Sequence, residues 1–281
     1  MYKILEKTKL APAIYSMKVE APRMARAAKP GQFLIVIDQE GGERIPLTIC
    51  DYDTQQGSVT IVIQAIGEST RQMVTRDVGD SFFAFAGPLG HPSEFMELSN
   101  EELCAKKFIF VAGGLGAAPV FPQVKWLCQR GVQPHVIIGA KSAEYVILEE
   151  EFRELTPNVH IATDDGSKGF NGLVTTLLEE LVSSGNEFDE VVAIGPMIMM
   201  KFVTLTAKKL GLPITVSLNT IMVDGSGMCG ACRVTVDGKV RFACVEGPEF
   251  DGHKVDFDEA LRRSGMYKVQ ENHKCNLRSA K

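Results

Sequence analysis

Cys229, Cys232 and Cys244 fall within sixteen positions near the end of a 281-residue chain, in the pattern C-x2-C-x11-C. Thiolates grouped this closely are donors for iron or zinc, and such sites take four ligands. Plant-type 2Fe–2S sites read C-x4-C-x2-C with a distant fourth cysteine. Here Asp224 stands where the first thiolate of that pattern belongs, giving Asp224-x4-Cys229-x2-Cys232 and then Cys244. The fourth donor is open among Asp224, Cys275 (31 positions past Cys244), and the unnamed fourth ligand of a zinc site, and a segment without metal is the remaining reading. After Cys232 the run VTV-Asp237-Gly238-KVRF predicts a hairpin, whose two strands return the chain so that Cys244 lands beside Cys232. Gly225, Gly227 and Gly230 let backbone amides turn toward cluster sulfurs. Cys50, Cys104 and Cys128 stand singly in apolar surroundings and are expected to be ordinary buried thiols.

A second chemistry lies at glycine junctions. Val111-Ala112-Gly113-Gly114-Leu115-Gly116-Ala117-Ala118-Pro119 joins a buried-type strand to a helix, where backbone N–H groups can approach a pyrophosphate. It is not a full G-x-G-x-x-G, because Pro119 stands at the third glycine, and a ligand-free tight turn is the plain alternative. TDDGS (163–167, with Asp164 and Asp165) and Gly195-Pro196 lie at the ends of later strands, the edge at which open α/β sheets bind ligands. Three loops on one edge favour a nucleotide site. Earlier, Arg44 to Thr48 (RIPLT) follows a strand, and Gly67, Ser69 and Thr70 lead into a short helix. These suit a second pyrophosphate, against a surface ion pair for Arg44 and a plain helix cap for the hydroxyls.

The elements that position these residues divide the chain in three. Up to about residue 97 it is β-rich, with FLIVID (33–38), SVTIVIQAI (58–66) and SFFAFAGPLG (81–90) broken by turn residues, and with 69–76 as the one helical stretch. A small antiparallel barrel is expected. Between 98 and 217 strand and helix alternate, which predicts a parallel sheet covered by helices. The first helix of this part carries Val120, Val124, Leu127 and Cys128 on one face. From 218 to 281 the chain is too short for its own core, so its metal site is expected to staple it.

Net charge is −5 with mixed signs and no basic stripe, so nucleic acid is an unexpected partner. No apolar run reaches the ~20 residues of a membrane helix, and the first residues lack a signal-peptide core. The chain therefore reads as cytoplasmic, where thiols stay reduced. The five histidines show no ligand spacing, and Met197, Met199 and Met200 read as packing.

In order, R-x-P-L-T, G-x-S-T, G-P-L-G (87–90), G-G-L-G-A-A-P, T-D-D-G-S and G-P-M-x-M-M resemble the ferredoxin–NADP reductase superfamily along essentially the whole chain. The cysteine segment resembles the electron-transfer subunit of dihydroorotate dehydrogenase B. It is more similar still to the small, NAD-side subunit of electron-bifurcating NADH-dependent reduced-ferredoxin:NADP oxidoreductases, also named as sulfide dehydrogenase subunits. That resemblance implies an FAD-binding barrel, an NAD(H)-binding α/β domain and a C-terminal 2Fe–2S segment.

It also implies an oxidoreductase subunit in a heterodimer with a larger flavin/iron–sulfur subunit. Arg44, Pro46, Leu47 and Thr48 would line the flavin and its phosphates. Gly67, Ser69 and Thr70 would hold the pyrophosphate. Gly113, Gly114, Gly116 and Ala117 would face the nicotinamide nucleotide, with Asp164, Asp165 and Gly195 nearby. Asp224 would join the three thiolates as metal ligand, as the bifurcating small subunits use an aspartate there. Pro46 replaces the superfamily's usual aromatic. No residue is expected to act as acid or base. The electron-transfer subunit of dihydroorotate dehydrogenase B is the alternative, and a zinc-stapled regulatory nucleotide-binding module is an alternative of another class.

Overall fold

The structure is a computed structural model that describes residues 1–267, so Cys275 lies outside the described residues. The first part is a seven-stranded antiparallel sheet of β1 (Tyr2–Ala11), β2 (Ile14–Glu20), β3 (Phe33–Ile37), β4 (Arg44–Asp53), β5 (Ser58–Gln64), β6 (Ser81–Phe82) and β7 (Ala84–Leu89). Their order is β6-β1-β2-β5-β4-β3-β7. Only Phe83 separates β6 from β7. One bent stretch of chain therefore pairs with β1 at one edge and with β3 at the other, which draws the sheet nearly closed. Inward residues such as Met17, Val19, Leu34, Val36, Ile61 and Ile63 fill the barrel.

Two sequence expectations change here. Two helices stand in this part, α1 (Pro22–Ala27) and α2 (Glu68–Met73), where one was expected, with Pro22 at the first turn of α1, where a missing N–H costs nothing. Arg44 to Thr48 follow β3, as expected, and themselves begin β4. β1 and β2 lie outside the expected strands; in β1 the exposed Lys3, Glu6 and Lys9 dilute the apolar signal.

After the short helix α3 (Asn100–Ala105), capped by Ser99, comes the α/β part. Its strands are β8 (Phe108–Gly113), β9 (His135–Ala140), β10 (Val159–Thr163), β11 (Phe170–Asn171), β12 (Glu190–Ile194) and β13 (Ile214–Ser217). The helices are α4 (Ala117–Cys128), α5 (Glu149–Leu155), α6 (Val174–Ser183) and α7 (Met197–Leu210). The sheet runs β11-β10-β9-β8-β12-β13 in parallel, so the strand order reverses between β8 and β12. Fully buried apolar strands such as β8 suit a sheet covered on both faces. Cys104 is a correction: α3 buries only Leu103, and the Cys104 thiol is exposed. Cys50 is buried and Cys128 half-buried, as expected in kind.

The last part forms the expected hairpin, β14 (Arg233–Val236) and β15 (Lys239–Phe242), turning through Asp237 and Gly238 at φ 52° and 69°. Positive φ at both positions is the twist-matched two-residue turn. Next come α8 (Ala243–Glu246), β16 (Glu249–Asp251) and α9 (Phe257–Ser264). β16 adds to the α/β sheet antiparallel to β13, and Val234, Val236, Phe257 and Ala260 enter the core beneath α7. Packing, as well as any metal, thus holds this segment.

Candidate functional site

At the reversal between β8 and β12 two strand ends approach so closely that side chains are excluded. A Cβ on Gly116 would lie 2.0 Å from the Ile194 carbonyl oxygen, and one on Gly195 would lie 3.0 Å from the Gly113 Cα. Met199 fills the space beside both strand ends, 2.2 Å from a Cβ on Gly113. Gly114 differs. Its φ is +54° and a Cβ there would meet nothing within 4 Å, so it faces open space. A crevice at the carboxyl ends of strands, where order reverses, is the place where such sheets bind ligands.

That crevice opens into a cavity of about 1270 Å³ shared with the barrel, roomier than the roughly 300–1,000 Å³ of ordinary ligand pockets. Phe33, Pro46, Leu47 and Thr48 form its barrel wall; Gly113, Gly114, Gly116, Asp164 and Gly195 form the opposite wall. Asn219, Thr220, Met222 and Pro248, from the chain around the cysteine segment, complete it. Thr220 Oγ1 is buried without a hydrogen-bond partner, which suits a bound group that brings polar atoms. The sequence signal for 219–222 is slight: two polar residues, Asn219 and Thr220, then two apolar ones, after a half-buried strand.

Several expected residues are placed elsewhere. Ala117 is buried in the core at the start of α4. Asp165 turns to Ser167, whose hydroxyl and amide hydrogen bonds hold its carboxyl below the usual range. Thr70 Oγ1 accepts from the Gly67 and Ile66 amides at 3.0 and 3.2 Å, and the Ser69 hydroxyl donates to Glu43, so both hydroxyls are engaged locally. Arg44 reaches the cysteine segment: its Nε donates to the Val223 carbonyl at 3.1 Å and its Nη2 to the Asp224 carbonyl at 3.2 Å.

The Cys232 and Cys244 sulfurs lie 3.2 Å apart and buried, while Cys229 is exposed. Both buried cysteines pack on Phe33 and Ile35, the face of β3 opposite its barrel-core residues Leu34 and Val36. The preceding loop lies flat on the same strand, since a Cβ on Gly225 would sit 2.7 Å from Ile35 and from Leu89. Asp224 Oδ1 accepts from the Ser226 amide at 2.8 Å and Oδ2 from the Cys229 amide at 3.1 Å. These bonds, Ser226's foremost, hold its carboxyl below the usual value and keep it an anionic donor. Burial, then the neighbouring Cys232, pushes the Cys244 thiol up to about 12, so ligation there must displace a proton. Among the described residues no three His, Cys, Asp or Glu side chains converge on a single ion position. A single-ion cage is therefore not pre-formed, whereas a two-iron cluster asks for two pairs of ligands. The buried pair, an exposed thiol and a fixed carboxylate fit that donor set.

A nearly closed antiparallel barrel, a parallel sheet reversing at a glycine crevice and a cysteine segment on their shared cavity define a reductase of the ferredoxin–NADP reductase class. Residues 219–256 match the iron–sulfur cluster binding domain of dihydroorotate dehydrogenase B. The chain is 55% identical over 272 residues to the "uncharacterized protein in adh 3'region" of Clostridium beijerinckii, covering 96% of this chain and 92% of that one. It is 42% identical over 268 residues to a dihydroorotate dehydrogenase B (NAD(+)) electron transfer subunit homolog of Thermotoga maritima, covering 95% and 92%. The solved structure of an NADH-dependent reduced ferredoxin–NADP oxidoreductase, reported for flavin-based electron bifurcation, superposes with a TM-score of 0.90 at 40% identity, covering 100% and 98%. The chain belongs to this family of ferredoxin–NADP reductase-like electron-transfer subunits. A match to an iron–sulfur domain displaces the zinc-stapled reading. No helix among the described residues is long and apolar enough to cross a membrane.

Proposed function

We propose that this chain is the NAD-side electron-transfer subunit of a bifurcating NADH/NADP/ferredoxin oxidoreductase, passing electrons between NAD(H), FAD and a 2Fe–2S cluster. One observation carries the reading: the outer face of β3 bears the Cys232–Cys244 pair, and its Phe33 also walls the nucleotide cavity. Flavin, when bound, supplies the step from two-electron hydride chemistry to one-electron traffic. The chain's own work is placement. Pro46, Leu47 and Thr48 would line the flavin, and the Thr48 hydroxyl would offer it a hydrogen bond. Gly113, Gly114, Gly116 and Gly195 admit the nicotinamide nucleotide, and Asp164 suits ribose hydroxyls. Asp224, Cys229, Cys232 and Cys244 would hold the cluster, and Arg44 ties their loop to β4.

The partner is a larger flavin/iron–sulfur subunit, seated where Val223, Met228, Val240 and Val245 stand exposed around the cluster segment. Apolar side chains gathered beside a redox site are what a docking face requires. The chain should be yellow-brown, bleached by dithionite, and contain iron rather than zinc. Alone it should oxidise NADH with artificial acceptors and fail to reduce NADP; efficient NADP reduction by the lone subunit would overturn the reading. The match over residues 219–256 favours a second reading, the electron-transfer subunit of dihydroorotate dehydrogenase B. Asp224 in place of a cysteine argues against it.

A further inference from the structure

One carboxylate joins all three parts of the chain. Glu249 opens β16, five residues after Cys244, and its Oε1 accepts from the Ser93 hydroxyl at 3.0 Å and the Gln123 amide at 2.9 Å. Ser93 lies in the stretch after the barrel, and Gln123 is fully buried on α4. The barrel contributes space: at Gly31 (φ +85°) a Cβ would lie 2.5 Å from Ser93 Oγ and 3.0 Å from Glu249 Oε1. Gly31 and Pro248 also wall the cavity, so the junction sits directly behind it.

A carboxyl is a costly group here. Burial pushes Glu249 up to about 7; the Ser93 and Gln123 hydrogen bonds oppose this, and Glu190 and Glu94 add to it. The charged groups around it are Glu94 beside Ser93, Glu190 on β12 with its partner Lys106, and Asp251 on its own strand, paired with Lys254 in the turn that follows. On α4, Lys125 is engaged by Asp51. A glutamine could accept the same two hydrogen bonds without desolvating a charge. Gln123 Oε1 is also buried without a partner, so an unused acceptor lies on the same side chain that holds the Glu249 carboxyl. Perturbed groups of this kind gather at functional sites more than in plain packing.

We propose that Glu249 is a positioning residue for electron transfer: through Ser93 and Gln123 it fixes the Cys244 segment against the barrel loop and α4, and so sets the placement of the cluster relative to the flavin. The inference rests on the redox reading above. The test takes the complex with its partner subunit, confirmed to contain flavin and iron by absorbance. Stopped-flow absorbance then follows reduction of the cluster by NADH from about pH 6 to 8.5, bracketing the Glu249 titration. A misplacement of about 1 Å can cost roughly a hundredfold, so Glu249→Ala should slow cluster reduction at least about tenfold with the NADH KM changed by less than about twofold.

The wild-type rate should bend near pH 7. Glu249→Gln should restore much of the rate and remove the bend. If Glu249→Ala does not fold, Ser93→Ala provides the same rate comparison. A rate unchanged in these variants, or a bend that persists in Glu249→Gln, would overturn the proposal. A wild-type complex without flavin or iron absorption would instead sink the redox reading, and the inference with it.

Discussion

Asp224 illustrates how much one residue can carry. Its carboxylate is already fixed by the Ser226 and Cys229 amides, so it presents an anionic donor without reorganising the loop. Asp224→Cys should keep the cluster while altering its spectrum and potential, and Asp224→Ala should lower iron content. Unchanged spectra and iron in both variants would remove Asp224 from the ligand set. Glu249 makes a prediction of another kind. Its pKa is raised from 4.5 to about 7, so the folded chain holds a proton that the unfolded chain has already released between those values. The stability it contributes is complete below about pH 4.5 and lost as pH rises through about 7. Glu249→Gln should flatten the decline in stability across that window by on the order of 1–3 kcal/mol. Denaturant melts at several pH values would check this, and parallel declines in the two proteins would contradict it.

Among the elements, the β8–α4 and β12–α7 junctions depend on glycine for two different reasons. Gly116 is excluded from bearing a side chain by the Ile194 carbonyl, whereas Gly114 is set by its φ of +54° beside open space. Gly116→Ala should force the strand ends apart, at about 2 kcal/mol or more, and weaken NADH binding. Gly114→Ala should cost only about 1 kcal/mol of backbone strain. Thermal melts and NADH titrations would rank them, and equal effects would mean that the two strand ends do not meet as described. The Asp237-Gly238 turn, by contrast, was legible from its dipeptide, because a two-residue hairpin loop demands positive φ at both positions.

For the molecule as a whole, the C-terminal segment is held by packing as well as by its metal site. Val234, Val236, Phe257 and Ala260 share a core with α7, and Cys232 and Cys244 sit on β3. Chelating the iron should therefore lower the melting temperature while leaving far-UV circular dichroism and a cooperative transition. A chain ending at residue 217 should lose that transition, because it strips β13 of its β16 neighbour and opens the core. Collapse of the whole fold on chelation would show that the metal alone staples the segment.

What the sequence determined by itself is local: cysteine spacing, the hairpin turn, glycine-ended strands and the alternation of strand and helix. Each depends on residues within one turn or one element, where spacing and backbone preference act directly. The tertiary structure alone decided that Arg44 meets the Val223 and Asp224 carbonyls, that Thr220 walls the cavity, and that Ser93 and Gln123 converge on Glu249. It also left Cys104 exposed. Those contacts join residues that are distant in the chain, or depend on which face a short element buries. Both are settled only when barrel, sheet and segment pack together, because no local pattern carries the direction in which a polar side chain will find its partner.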